Sequence, residues 1–182
     1  MNITVYLGSR FGRDTKYRQA TEKLGRMIGE QGDSLVYGGS KSGLMGVLAD
    51  AVLSTGGKVT GVEPQMFMDA GFAREDLTEL IVTKDMSERK ARMMELGDAF
   101  IAFPGGTGTL EEITDVMSAV SLGRMKTPCI FFNLDGYYDS MRDLLEIMKQ
   151  EGFSSEERQS GILFADSIEE IGRILAGNRK RR

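Results

Sequence analysis

Seven short apolar runs, at 3–7, 35–37, 58–62, 79–82, 99–103, 128–132 and 162–164, alternate with longer segments in which apolar residues recur every three or four positions. A strand that is apolar on consecutive positions has two faces to bury, which a parallel sheet covered by helices provides. The intervening segments supply those helices. Tyr17, Ala20, Leu24, Met27 and Ile28 share one face, and Leu44, Val47, Leu48, Ala51 and Val52 share another. Leu110, Ile113, Met117 and Val120 form a third stripe, Tyr138, Met141, Leu145 and Met148 a fourth, and a last helix covers 167–175. This alternation predicts an α/β fold, a Rossmann-like, doubly wound, mostly parallel sheet of about seven strands with helices on both faces. The 182 residues hold no internal repeat, low-complexity segment or linker, so the chain reads as one nucleotide-binding domain, 1–182, with the basic end 177–182 as a flexible tail.

Composition removes whole classes of chemistry. The chain has no histidine and one cysteine, Cys129, set inside the apolar run CIFF. Ser-His-Asp and Cys-His catalysis, His-containing zinc sites, thiolate metal sites and an internal disulfide all fall away. General acid–base work is left to Asp, Glu, Lys or Tyr. A net charge of −4 argues against a nucleic-acid-binding face, and the one basic cluster, Arg179-Lys180-Arg181-Arg182, reads as a solvated end. No run of apolar residues suits a signal peptide or a membrane span, so a cytoplasmic protein is expected. The twelve methionines read as adaptable core and interface filler.

In open parallel sheets ligands bind outside the carboxyl ends of the strands, beside the switch in strand order. Three glycine-marked loops follow strands here: Gly8-Ser9-Arg10, Gly38-Gly39-Ser40-Lys41-Ser42-Gly43, and 104–109. The third is the most telling. In DAFIAFPGGTGTLEE, at 98–112, an apolar strand stops at Pro104, and Gly105, Gly106 and Gly108 are expected to free the backbone for a tight turn with φ > 0. Such a loop running into a helix aims backbone N–H groups and the positive end of the helix dipole at one point, where phosphate binds. Neither G-x-x-x-x-G-K-[ST] nor G-x-G-x-x-G is present, so a mononucleotide or sugar phosphate is expected rather than a nucleoside triphosphate or a dinucleotide.

Two charged residues have competing readings at this level. Thr109-Leu110-Glu111-Glu112 fits a capping box, Thr109 capping the helix and Glu112 reaching back to it, worth about 1 kcal/mol. Glu112 equally suits a carboxylate facing a ligand that carries hydroxyls or needs a base. In Met86-Ser87-Glu88-Arg89-Lys90, Arg89 and Lys90 flank the line through Met86, Met93 and Gly97. Arg89 either snorkels past that apolar stripe or points into the crevice to grip phosphate or ribose oxygens.

YGGSKSGLMG at 37–46, SERKA at 87–91 and PGGTGTLEE at 104–112 resemble the LONELY GUY family, the cytokinin riboside 5′-monophosphate phosphoribohydrolases once labelled lysine decarboxylases. The family pattern P-G-G-x-G-T-x-x-E is matched from Pro104 through Glu112, and GYYDSMRDLLEIMKQEGF at 136–153 extends the similarity over nearly the whole chain. The resemblance implies a Rossmann-like homodimer that cleaves the N-glycosidic bond of a nucleoside 5′-monophosphate, either a cytokinin riboside 5′-monophosphate or AMP, to free base and ribose 5-phosphate. Its catalytic pair falls on Arg89 and Glu112, and its phosphate loop on Gly105, Gly106, Thr107, Gly108 and Thr109. With Gly8, Ser9, Gly38, Gly39, Gly43, Met45 and Lys90 from the other loops and helix, these make up the candidate site. No metal or other cofactor is required. The chain departs from the family at Ser40, where a third glycine is usual, and at Ser87, where histidine is usual, which leaves base preference open. The alternative is a non-catalytic carrier of a phosphorylated cofactor or nucleotide, like the molybdenum cofactor carriers of similar fold. A decarboxylase using pyridoxal phosphate is disfavoured, since nothing marks a Schiff-base lysine and its pyridinium partner.

Overall fold

The computed structural model describes residues 1–180; the expectation for the tail at Arg181 and Arg182 lies outside the described residues. Strands β1 (Asn2–Tyr6), β2 (Ser34–Tyr37), β3 (Lys58–Pro64), β4 (Glu79–Thr83), β5 (Ala99–Ala102), β6 (Cys129–Phe132) and β7 (Ile162–Ala165) form one sheet in the order β4-β3-β2-β1-β5-β6-β7. Every strand pair in it is parallel, so the expected architecture holds without an antiparallel edge. The order reverses between β1 and β5, which pair from Ile3 with Ala99 to Tyr6 with Ala102.

Helices α1 (Thr15–Glu30), α2 (Gly43–Leu53) and α8 (Ile168–Arg179) cover one face. Their apolar sides meet Ile3, Val5, Leu35, Tyr37, Ile101 and Phe103 in one core cluster. Helices α4 (Met86–Leu96), α5 (Thr107–Ser121) and α6 (Asp139–Gln150) cover the other face, over Tyr6, Val36, Phe100, Ala102 and Phe131. The apolar runs thus have both faces buried, as their composition requires. Cys129 is fully buried in the second cluster, with its thiol pushed up by desolvation. Among the described residues no helix is long and apolar enough to cross a membrane.

Two short helices, α3 (Gln65–Asp69) and α7 (Glu156–Gln159), were invisible to periodicity because neither is long enough to show one. At the other end, α8 continues past Leu175 into the basic segment. There Arg179 pairs with the buried Asp33, whose other oxygen accepts from the Met1 α-amino group at 2.8 Å.

α1 and α2 approach so closely that a Cβ on Gly25 would stand 2.6 Å from Ala51 Cβ and 2.9 Å from Leu48 O. Gly25→Val is therefore expected to lower stability by about 2 kcal/mol or more through overpacking. Urea denaturation followed by circular dichroism measures it, and an unchanged midpoint contradicts the contact.

Candidate active site

The switch in strand order brings the loops after β1 and β5 together. A Cβ on Gly8 would lie 3.6 Å from Gly105 Cα, and one on Gly105 would lie 3.1 Å from Gly8 N and closer still to the Thr109 side chain. The glycines of the 104–109 loop therefore serve space rather than twist: none of Gly105, Gly106 and Gly108 has positive φ, and Gly106 is extended at φ −93°, ψ −161°. That corrects the expected turn. A Cβ on Gly106 or Gly108 would meet nothing within 4 Å, so both leave their backbone open toward the crevice. Tyr137 and Tyr138 brace this strand end. Tyr137 donates to Gly105 O at 2.6 Å and Tyr138 to Phe103 O at 2.9 Å.

The expected capping box at Thr109–Glu112 does not form. The N-cap lies three residues earlier, at Gly106, so α5 begins at Thr107 with no side chain capping it. Its first N–H groups lack intrahelical partners by geometry and face the crevice with the dipole behind them. A reciprocal cap stands instead on α4. Asp85 accepts from Glu88 N at 2.9 Å, and Glu88 accepts from Lys84 N at 2.8 Å.

That cap fixes the first turn of α4 and so aims Arg89 inward. Arg89 is 7% exposed; its Nε donates to Val62 O at 3.0 Å and its Nη1 to Glu112 Oε1 at 2.5 Å. A Cβ on Gly38 would overlap the guanidinium, so glycine there makes the arginine's room. Burial pushes the Glu112 carboxyl up, and the charge and hydrogen bond of Arg89 oppose that rise. The snorkelling reading of Arg89 and the capping reading of Glu112 both give way to a buried pair that faces the cavity.

The cavity is about 720 Å³, within the range of small-molecule sites. Of the candidate residues, Gly8, Ser9, Gly38, Met45, Arg89, Gly106, Thr107, Gly108, Thr109 and Glu112 line it. Four do not. Lys90 turns outward to Glu111 at 2.7 Å and Asp115 at 2.9 Å. Gly105 supports the loop from behind. Gly43, at φ +55°, sits where a Cβ would overlap the Ser9 carbonyl, and Gly39, at φ +79°, packs on Glu63. These last two shape the wall by left-handed backbone and close approach. Sequence reasoning missed Glu63, Phe67, Phe72 and Met86 on the same wall. Segment 72–74 is clamped over the second loop: Lys41 N donates to Phe72 O at 3.1 Å and Arg74 N to Gly39 O at 2.9 Å. The pocket lining contains no lysine, so the residues do not fit a Schiff base to pyridoxal phosphate.

Glu63 is 2% exposed, and its Oε2 has no hydrogen-bond partner. Burial pushes its carboxyl up to about 7 against an opposing pull from Arg89. The native state holds this proton more tightly than the unfolded chain does. The resulting stability is complete below about 4.5 and is lost as the pH rises through about 7. Urea midpoints of the wild type should therefore fall across that window relative to those of Glu63→Gln, which cannot ionise. Parallel profiles for the two proteins contradict the shift.

A family described as "Possible lysine decarboxylase" matches residues 45–175. A cytokinin riboside 5′-monophosphate phosphoribohydrolase of Rhodococcoides fascians is 44% identical, over 92% of this chain and 85% of the relative. One from Oryza sativa subsp. japonica is 40% identical, over 93% of this chain and 70% of the relative. Among solved structures, the molybdenum cofactor carrier protein of Chlamydomonas reinhardtii superposes with a TM-score of 0.73 over 98% of both chains at 18% identity, a likeness of fold.

Proposed function

The chain belongs to the family of the cytokinin riboside 5′-monophosphate phosphoribohydrolases, and from that premise we propose that it hydrolyses the N-glycosidic bond of a nucleoside 5′-monophosphate to free base and ribose 5-phosphate. The observation that carries the reading is the Arg89–Glu112 pair, buried beside the uncapped start of α5 and lining the same cavity.

In this reading the first N–H groups of α5 and the open backbone at Gly106 and Gly108 hold the 5′-phosphate. Phosphate binding is remote from the bond that breaks, so its energy serves to position the ribose over Glu112. Cleavage passes through an oxocarbenium-like ribose, which an ionised carboxylate stabilises while it orients the attacking water. Arg89 favours the ionised form of Glu112 and fixes its direction. A carrier would need the phosphate nest but has no use for a buried carboxylate–guanidinium pair, which is costly to desolvate. Adenine and N6-substituted adenine nucleotides are the proposed substrates, in keeping with the relatives' names.

Glu112→Ala is expected to lower base release from AMP by about 100-fold or more. It should leave ribose 5-phosphate binding, measured by calorimetry, within a few-fold of the wild type. Unchanged turnover in a panel of nucleoside monophosphates sinks the assignment of Glu112. The reading includes a homodimer, supported by the exposed Leu144 and Ile147, three residues apart on α6, and by Phe153, 82% exposed just beyond it. Light scattering should give twice the chain mass, and Ile147→Glu should halve it; a monomeric wild type removes the dimer from the proposal.

A further inference from the structure

We propose that Glu63 is the general acid of this reaction, protonating a purine ring nitrogen as the glycosidic bond breaks. The inference rests on the hydrolase reading and assigns its second carboxyl.

Position comes first. Across the cavity the phosphate nest opens after β5, Glu112 stands one turn into α5, and Arg89 spans from Glu112 to the carbonyl of Val62. Glu63 is the next residue of β3, three strands from β5 in the sheet order. Phe67, Phe72 and Met86 line the cavity with it and offer flat and soft apolar surface to a base. A nucleotide anchored by its phosphate with its ribose at Glu112 therefore reaches Glu63 with its base.

Chemistry then selects Glu63. A purine departs poorly as an anion, so its ring must take up a proton. The titratable residues lining the cavity are Tyr6, Arg10, Glu63, Arg89 and Glu112. Guanidinium groups do not release protons near neutrality. Burial pushes the Tyr6 hydroxyl up, away from useful acidity, and Glu112 is tied to Arg89. Glu63 lines the cavity with a carboxyl that burial holds protonated into the neutral range, and its Oε2 is packed out of water without a partner. The charged and titratable groups facing it are Arg89 from α4 and the Tyr37 hydroxyl from β2, itself buried without a partner. Gly39 gives the carboxyl its place, since a Cβ there would stand 2.6 Å from Glu63 Oε2.

The step balances. The C1′–N9 bond breaks with its electron pair going to the base, and the Glu63 proton passes to N7, so the base leaves neutral. Water adds to C1′ and its proton goes to Glu112. Exchange with solvent then returns a proton to Glu63 and removes one from Glu112.

The test compares AMP with 7-methyladenosine 5′-monophosphate, whose imidazole ring already carries the positive charge and needs no acid. Glu63→Gln should lower kcat on AMP by about 100-fold or more with KM little changed. It should retain turnover of the methylated substrate within about threefold. In the wild type, kcat on AMP should fall as the pH rises through about 7, a limb that the methylated substrate lacks. A folded Glu63→Gln that turns over AMP at the wild-type rate overturns the proposal, and so does equal loss on both substrates. Should Gln not be accommodated, Glu63→Asp keeps the acid at shorter reach and should again lose more on AMP than on the methylated substrate. A wild type that releases base from no nucleotide overturns the hydrolase reading itself, which separates the two failures.

Discussion

The ion pair between Arg89 and Glu112 ties together the parts of the sheet that make the cavity. It joins α4 to α5 across the switch in strand order, and the same guanidinium holds the end of β3 through Val62 O. Both side chains are nearly out of water, at 8% and 11% exposure, so removing either leaves a charge with little solvent to take its place. Much of the surrounding sequence accommodates this pair. Gly38 gives up its side chain to it, and the reciprocal Asp85–Glu88 cap sets the first turn of the helix that delivers Arg89. Tyr137 and Tyr138 hold the strand and loop that precede Glu112 through Gly105 O and Phe103 O.

Glycine plays two physically different parts at this end of the sheet. Gly39 and Gly43 adopt left-handed backbone at φ +79° and +55° and so turn the loop after β2. Gly105, Gly106 and Gly108 do not have positive φ; Gly105 omits a side chain so that the Gly8 backbone and Thr109 can come close, and Gly106 and Gly108 leave open space beside theirs. The distinction explains why a string of glycines suggested the wrong turn. Residue identity reports that a Cβ is unwelcome, and only the coordinates say whether the dihedral or the neighbour forbids it.

The sheet and its covering helices were legible because both rest on long, redundant patterns: runs apolar on consecutive positions, and stripes at helical spacing. What escaped depended on short-range or long-range accidents. α3 has five residues and no period, yet it carries Phe67 to the cavity. The Thr109–Glu112 spacing fits a capping box, but α5 starts at Thr107 because the Gly106 backbone can serve as N-cap, which releases Glu112 for Arg89. Lys90 follows Arg89 in sequence, and one step along a helix turns it about 100° away. It meets Glu111 and Asp115 instead of the cavity. Glu63 was hidden by the apolar run that it ends. A carboxylate at the close of a buried strand gives no local signal that it will lack a partner.

Glu63 and Glu112 share one cavity and differ in their hydrogen-bond partners, and that contrast explains more of the site than either residue does. Burial pushes both carboxyls up and the Arg89 charge opposes that at both, but only Glu112 is hydrogen-bonded to the guanidinium, at 2.5 Å, while Glu63 Oε2 has no partner. An apolar residue of similar size at position 63 would avoid the cost of desolvating a carboxyl, since no other described residue bonds to its Oε2. Glycosidic hydrolysis asks for this division: a carboxylate where positive charge develops on the sugar, and a protonated acid where negative charge develops on the leaving group. On the proposed reading the phosphate nest fixes the ligand's direction, so each carboxyl meets the end of the breaking bond suited to its charge.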